Sequence, residues 1–213
     1  MNLDQLWATI ADYSQLLLCN DKKLLWEITL VVLSIFAHIL DARQNIWSRI
    51  LTYPILFMNI KVYFVRRLYG KVIYTIISTA FNVYAHIKWR GKPHQQPLYV
   101  TRTSNHMLLY AIGTGILGAL GFIFIIMMVT DSNKFSFAIC GDAFNLSFGL
   151  VEKWFMSHKK LERWLIALLR YAAFSIACYH TGASILSIQH LVLVFIGIYG
   201  QIKWHRSYKI HKV

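Results

Sequence analysis

Apolar blocks long enough to cross a membrane make up most of this chain, and that single feature leaves it few folds. The blocks run Leu24–Leu40, Ile50–Val65, Val72–Trp89, His106–Thr130, Phe135–Met156, Leu161–Tyr179 and Ser184–Trp204. A helix needs roughly 20 apolar residues to cross about 30 Å of hydrocarbon. In lipid every backbone N–H and C=O must pair within its own segment, so such blocks predict helices. A soluble domain needs a polar outside, and soluble chains are about 25% charged. Here 15% of 213 residues are charged and 57% are apolar. The expected fold class is an all-α membrane protein with seven transmembrane helices.

The net charge of +13 would point a soluble protein toward nucleic acid. In this chain the basic residues gather at the ends of the apolar blocks, and no nucleic-acid motif accompanies them, so a nucleic-acid partner is not expected. Alternating the loops between two sides puts Arg43, Arg49, Lys88, Arg90, Lys92, Arg102, Lys159, Lys160, Arg163, Lys203, Arg206, Lys209 and Lys212 on one face. Lys22, Lys23, Arg66, Arg67, Lys71 and Lys134 fall on the other. The more basic face is expected in the cytoplasm, which places the N-terminus outside and the C-terminus inside. Met1–Cys19 lacks the basic start of a signal peptide. Leu3, Leu6, Trp7, Ile10, Tyr13 and Leu17 predict an amphipathic helix there, lying on the bilayer surface. Pro93 and Pro97 make Arg90–Asn105 a loop. Cys19, Cys140 and Cys178 form no CxxC pair and read as small apolar side chains.

A weak internal duplication organises the blocks. Tyr84–Trp89 (YAHIKW) and Tyr199–Trp204 (YGQIKW) share Tyr, Ile, Lys and Trp in register, 115 positions apart. At the same offset Glu27 falls on Asp142. A second echo joins Asn45-Ile-Trp47 to Glu162-Arg-Trp164, out of register by two. The expected organisation is an amphipathic segment at 1–20, a first three-helix repeat at 24–89, a loop and linker helix at 90–130, a second three-helix repeat at 135–204 and a basic cytoplasmic tail at 205–213. Three spans invert a half and the linker span restores its direction. The 3+1+3 halves are therefore parallel, a pattern known in transporters with the substrate site between the repeats.

Polar groups within spans are costly and tend to face an interior. Thr75, Thr79, Asn82 and His86 are spaced four, three and four residues apart and make one helical face. The same face of the last span carries His190, Val194, Gly197 and Gln201. Two such stripes across a pseudo-axis would line a hydrophilic passage; the plain alternative is polar glue between helices. Asp142 and Arg170 are candidates for an interhelical ion pair. Glu27 and Asp142 stand near span ends, in structural or coupling roles, and Glu152 and Lys153 are expected near the cytoplasmic interface. Trp47, Trp164, Tyr84, Tyr171 and Tyr199 are candidates to stack a flat ring. Trp89 and Trp204, beside Lys and Arg at span ends, are expected as interfacial anchors.

The order of Trp26-Glu27, Gln44-Asn-Ile-Trp47, Leu68-Tyr69-Gly70, Asn82-Val-Tyr84 and Lys88-Trp89, followed by Asp142, Leu161-Glu-Arg-Trp164-Leu, Phe195-Ile-Gly-Ile-Tyr-Gly200 and Lys203-Trp204, resembles the PnuC family of nicotinamide riboside transporters. The resemblance covers about Leu24 to Arg206. It implies a fold like that of a full-length SWEET sugar transporter, and facilitated diffusion of vitamin-like compounds without a cofactor. The family's cargo is chiefly nicotinamide riboside, and in some branches thiamine or riboflavin. It also implies a bacterial inner-membrane location, members that can form homotrimers, and trapping of cargo by a separate cytoplasmic kinase. Asn82 and Tyr84 match the family's Asn-x-Tyr, and Trp164 the first Trp of its Trp-x-x-Trp. Ala167 replaces the second Trp, Tyr171 an Asn and Thr75 a Gln.

Two other function classes stand beside this one. Glu27 or Asp142 would couple transport to protons. His38, His86 and His190 lie in three separate spans, and paired histidines ligate haem in membrane electron carriers. No GxxxxGK[ST] loop is present to drive pumping by ATP. No catalytic residue and no metal ligand set is expected.

Overall fold

A computed structural model describes residues 20–65, 69–90, 98–130, 137–180 and 184–210. Side chains are described at 25–61 except 27, and at 72–90, 98–128, 139–180 and 187–210. The expected surface helix at Met1–Cys19, the side chain of Glu27, and Pro93 and Pro97 lie outside these residues. The described residues form seven helices and no strand. They are α1 (Asn20–Ala42), α2 (Trp47–Val65), α3 (Tyr69–Arg90), α4 (Asn105–Thr130), α5 (Phe137–Ser157), α6 (Arg163–His180) and α7 (Ser184–Ile210). Among the described residues each apolar block carries one helix. The last one runs two turns past Trp204, so the basic stretch from His205 is helical as far as Ile210.

Six helices close a ring. α1 packs on α2, α2 on α3, α3 on α5, α5 on α6, α6 on α7, and α7 back on α1. The halves α1–α3 and α5–α7 follow each other head to tail around it, as parallel repeats require. α4 stands outside and packs on α5. Gly115 and Gly118 permit that approach: a Cβ on Gly115 would meet the Phe148 ring at 2.8 Å, and one on Gly118 would strike the Ser147 hydroxyl. The rest of α4 is exposed and apolar, with Leu109, Leu117, Phe124 and Met128 pointing outward.

Among the described residues α4 alone is long and apolar enough to span a membrane by length and composition. The ring helices fall short because each turns polar groups inward. Their outer faces stay apolar: Val32 and Phe36, Phe57, Ile76 and Ile87, Leu169 and Ile176, Leu191 and Phe195 are exposed. An apolar outside with ionised groups inside inverts the soluble pattern and marks a protein solvated by lipid.

Backbone geometry repeats as well. The α1–α2 turn has Gln44 at φ 57° and the α5–α6 turn has Lys159 at φ 48°, 115 positions later. Gln44 N–H donates to the Asp41 carbonyl (2.9 Å) and Asn45 N–H to that of Leu40 (3.0 Å). Lys159 and Lys160 do the same to Met156 (3.0 Å) and Phe155 (2.9 Å). Both are Schellman endings, a left-handed residue closing the last helical turn. The offset holds into the next helices, where Arg49 N–H bonds Ile46 O (2.9 Å) and Trp164 N–H bonds Leu161 O (3.3 Å). This corrects the second sequence echo. Trp164 is equivalent to Arg49, and Trp47 to Glu162.

Candidate functional site

The interior is built around a chain of charges. Asp41, near the end of α1, forms an ion pair with Arg49 of α2 through one carboxylate oxygen and accepts a hydrogen bond from Arg163 of α6 (2.5 Å) on the other. Arg163 reaches on to Glu152 of α5 at 3.5 Å. Arg170, two turns further along α6, donates to the same carboxylate through Nε (3.0 Å) and Nη2 (2.6 Å), and through Nη1 to Asn145 (2.7 Å). All five ionised groups are buried. Burying a charge is tolerable only when a counter-charge and hydrogen bonds replace water, and this alternating chain supplies both.

Two indoles sit beside this chain on the ring's axis. Trp89 of α3 and Trp204 of α7 have ring centroids 6.0 Å apart. Trp89 Nε1 donates to the Met156 carbonyl (3.2 Å) and Trp204 Nε1 to the Asp41 carbonyl (3.3 Å). Asp41 and Met156 are equivalent, as are Trp89 and Trp204. Each half therefore braces the end of the other half's first helix, its indole adding a second donor to a carbonyl that already accepts from Lys159 or Gln44 N–H. Cations cover the rings, with Arg49 at 4.8 Å and Lys159 at 4.7 Å from Trp89, and Arg163 at 5.3 Å from Trp204. Burial holds the Lys159 ammonium below the ordinary lysine range. Trp89 is 8% exposed and Trp204 fully buried, so both belong to the core rather than to an interfacial belt.

From about one to about four turns away from these indoles along each helix, the two polar stripes face inward. Thr75 and Asn82 are buried on α3, with Thr79 and His86 half-buried. Asn82 is partly committed: its Nδ2 donates to the Arg49 carbonyl (2.9 Å), and Arg49 Nη1 reaches its Oδ1 at 3.4 Å. On α7, His190 packs on Phe174 (4.6 Å) and Tyr171 (6.1 Å), and Tyr171 meets His38 on its other side (5.8 Å). Trp164 lies against Gly200, where a Cβ would meet the indole at 2.5 Å. Its ring stands edge-on to Trp204 (5.7 Å), with Arg163 above it at 4.0 Å. Four buried polar atoms on this wall have no hydrogen-bond partner among the described residues: His86 Nδ1, Trp164 Nε1, Tyr171 Oη and Gln201 Oε1. Unpaired polar atoms in a buried place are rare, and each calls for an explanation such as a bound water, an ion or a ligand group.

Several expected residues are elsewhere. Trp47 is 62% exposed, Tyr84 46% and Tyr199 39%, so the outer surface takes all three. Tyr84 instead rests on His158 (5.7 Å) and Lys88 (5.4 Å). Helical periodicity explains it: Tyr84 is two residues from both Asn82 and His86, hence on the opposite face. Arg170 forms its ion pair with Glu152, not with the expected partner Asp142, and Glu152 is buried rather than interfacial. Asp41, Arg49, Glu152 and Arg163 went unrecognised as a unit, because an arginine at a span end reads as a loop charge. Asp41 and Glu152 near the ends of α1 and α5 were the available signal.

A closed helix ring with a charged, aromatic interior and an apolar exterior is the build of a multi-pass membrane transporter. The chain belongs to the nicotinamide mononucleotide transporter family, whose pattern matches residues 24–206. Its fold resembles the crystal structure of the vitamin B3 transporter PnuC, with a TM-score of 0.69 at 12% identity, covering 99% of this chain and 94% of that chain. No curated protein sequence matches the chain.

Proposed function

We propose that this protein takes up nicotinamide riboside, or a related ring-bearing vitamin precursor, by facilitated diffusion. The observation that carries this reading is the set of unpaired polar atoms on His86, Trp164, Tyr171 and Gln201, contributed by both halves and interleaved with aromatic rings. A flat ring gains by stacking on such walls, and its amide and hydroxyl groups find partners there. Thr75, Asn82 and His190 complete the wall. The two halves rock around this fixed site. The chain lies in a bacterial inner membrane with the turns at Gln44 and Lys159 facing the cytoplasm, where a kinase traps the cargo, and it can assemble as a homotrimer.

The test is a thermal-shift panel on purified protein with nicotinamide riboside, thiamine and riboflavin. Nicotinamide riboside is expected to raise the melting temperature, and Tyr171→Phe to weaken that response about tenfold, the worth of roughly 1.4 kcal/mol. A response to thiamine or riboflavin alone reassigns the cargo, and an unchanged response in Tyr171→Phe removes Tyr171 from the site. Uptake that persists in de-energised vesicles separates facilitated diffusion from coupling to protons through Glu27 or Asp142.

A further inference from the structure

The two turns at one end of the bundle are held very differently. Residues 98–104 form a strap across the α5–α6 turn. Thr101 N–H donates to the Lys159 carbonyl (3.1 Å), and the Thr101 carbonyl accepts from Leu161 N–H (3.0 Å). Thr103 N–H donates to Glu162 Oε2 (3.0 Å), with Arg102 3.7 Å from the same carboxylate and Lys160 Nζ 3.4 Å from the Arg102 carbonyl. α4, which follows the strap, packs on α5. At the α1–α2 turn, among the described residues, the backbone N–H groups from Arg43 to Arg49 bond only to carbonyls between residues 39 and 46, or to the Asn45 side chain.

That first turn touches the second half through a few polar contacts. Asp41 meets Arg163, the Asp41 carbonyl accepts from Trp204, and Arg49 reaches Met156; beside them Ala42 and Ile46 share one apolar cluster with Met156, Leu161 and Trp204, and Trp89 of α3 bonds the Met156 carbonyl. Trp89 and Trp204 each lie three residues beyond His86 and Gln201, so they close the end of both polar stripes on the axis. Polar contacts across a seam can be exchanged for water as the seam opens, whereas a strap pinned by backbone bonds and continued into a packed helix moves with what it holds.

We propose that Trp89 and Trp204 form the gate at this end of the passage, and that it opens by displacement of the α1–α2 turn away from a stationary α5–α6 turn. This rests on the reading of the chain as a transporter, and it assigns unequal work to two halves of equal fold. Ala42 and Ser157 are equivalent positions and both fully buried in the closed state. They therefore report on the two turns separately.

The experiment places a single cysteine at each position, Ala42→Cys or Ser157→Cys, in full-length protein whose Cys19, Cys140 and Cys178 are replaced by serine. The purified protein is treated with a water-soluble maleimide, with urea-unfolded protein setting complete reaction. The position-42 variant is expected to react at least about tenfold faster, a difference of roughly 1.4 kcal/mol in opening free energy. Adding Glu162→Ala should raise the rate at position 157 and leave position 42 unchanged. Should a substitution impair folding, hydrogen exchange in the unsubstituted protein compares peptides covering 39–49 and 154–164, and the first is expected to exchange faster. Equal rates at the two turns, or faster reaction at position 157, would overturn the proposal. The readout needs no cargo, so a failed thermal shift with nicotinamide riboside leaves it standing. Equal labelling alongside a good shift overturns the gate and spares the transporter.

Discussion

At the α1–α2 turn Gln44 sits at φ 57° and at the α5–α6 turn Lys159 sits at φ 48°, with matching hydrogen bonds on either side. The side chains on this shared backbone do opposite things. The first turn brings Asp41 into the core and the second puts Met156 in its place. The second brings Glu162 to the strap, and the first leaves Trp47 exposed at the equivalent position. Duplication has preserved the conformation that ends one helix and starts the next, while the chemistry has been divided between the copies. Backbone geometry depends on local hydrogen bonds, which many sequences satisfy. A buried charge needs one particular partner, and one partner is enough for both halves.

The sharpest way to break this comparison is at Asp41. Asp41→Ala leaves buried Arg49 without a counter-charge and Arg163 with Glu152 alone, and is expected to cost about 3–5 kcal/mol, seen as a large fall in melting temperature. Met156→Leu at the equivalent site should cost less than about 1.5 kcal/mol, since it keeps volume and apolarity. Equal losses would mean that the charge chain contributes no more than packing. Next in size is the strap: Glu162→Ala removes the acceptor for Thr103 N–H and is expected to cost about 1–3 kcal/mol. Trp47→Ala, at the matching position on the outer surface, should stay within about 0.5 kcal/mol. The smallest effect sharpens the backbone likeness. Gln44→Gly relieves a left-handed residue and should stabilise by about 1 kcal/mol. Lys159→Gly gains the same relief but gives up its contact with Trp89, about 0.5–1 kcal/mol, so its melting temperature should stay nearly unchanged.

Most of the fold is legible in the sequence. The apolar blocks give seven helices within a few residues of their ends, except that the last runs on to Ile210, because lipid leaves a polypeptide no other way to satisfy its backbone. The 115-residue echo of Tyr84–Trp89 in Tyr199–Trp204 gives the repeat, and the spacing of Thr75, Thr79, Asn82 and His86 gives the inward face of α3. The interior is legible only in part. Trp89 and Trp204 look like belt residues because they neighbour lysines, yet periodicity continues the Asn82–His86 face onto Trp89. Following that face one step further would have placed both indoles inside. Tyr84 and Tyr199 share the motif but not the face. Arg49 and Arg163 are beyond a reading by periodicity: a span-end arginine is buried or solvated according to whether a carboxylate meets it from another helix, and that is a tertiary fact.

The crosswise indole bonds bear on how the chain comes off the ribosome. When α1–α3 have been made and α5–α7 have not, Trp89 has no carbonyl to meet and Asp41 holds one arginine of its two. A second copy of the first half would not complete it, since Ser48 stands where Arg163 would be needed. The first half waits in the bilayer as an unfinished object, and if the gene were cut between the halves, both products would have to be present together.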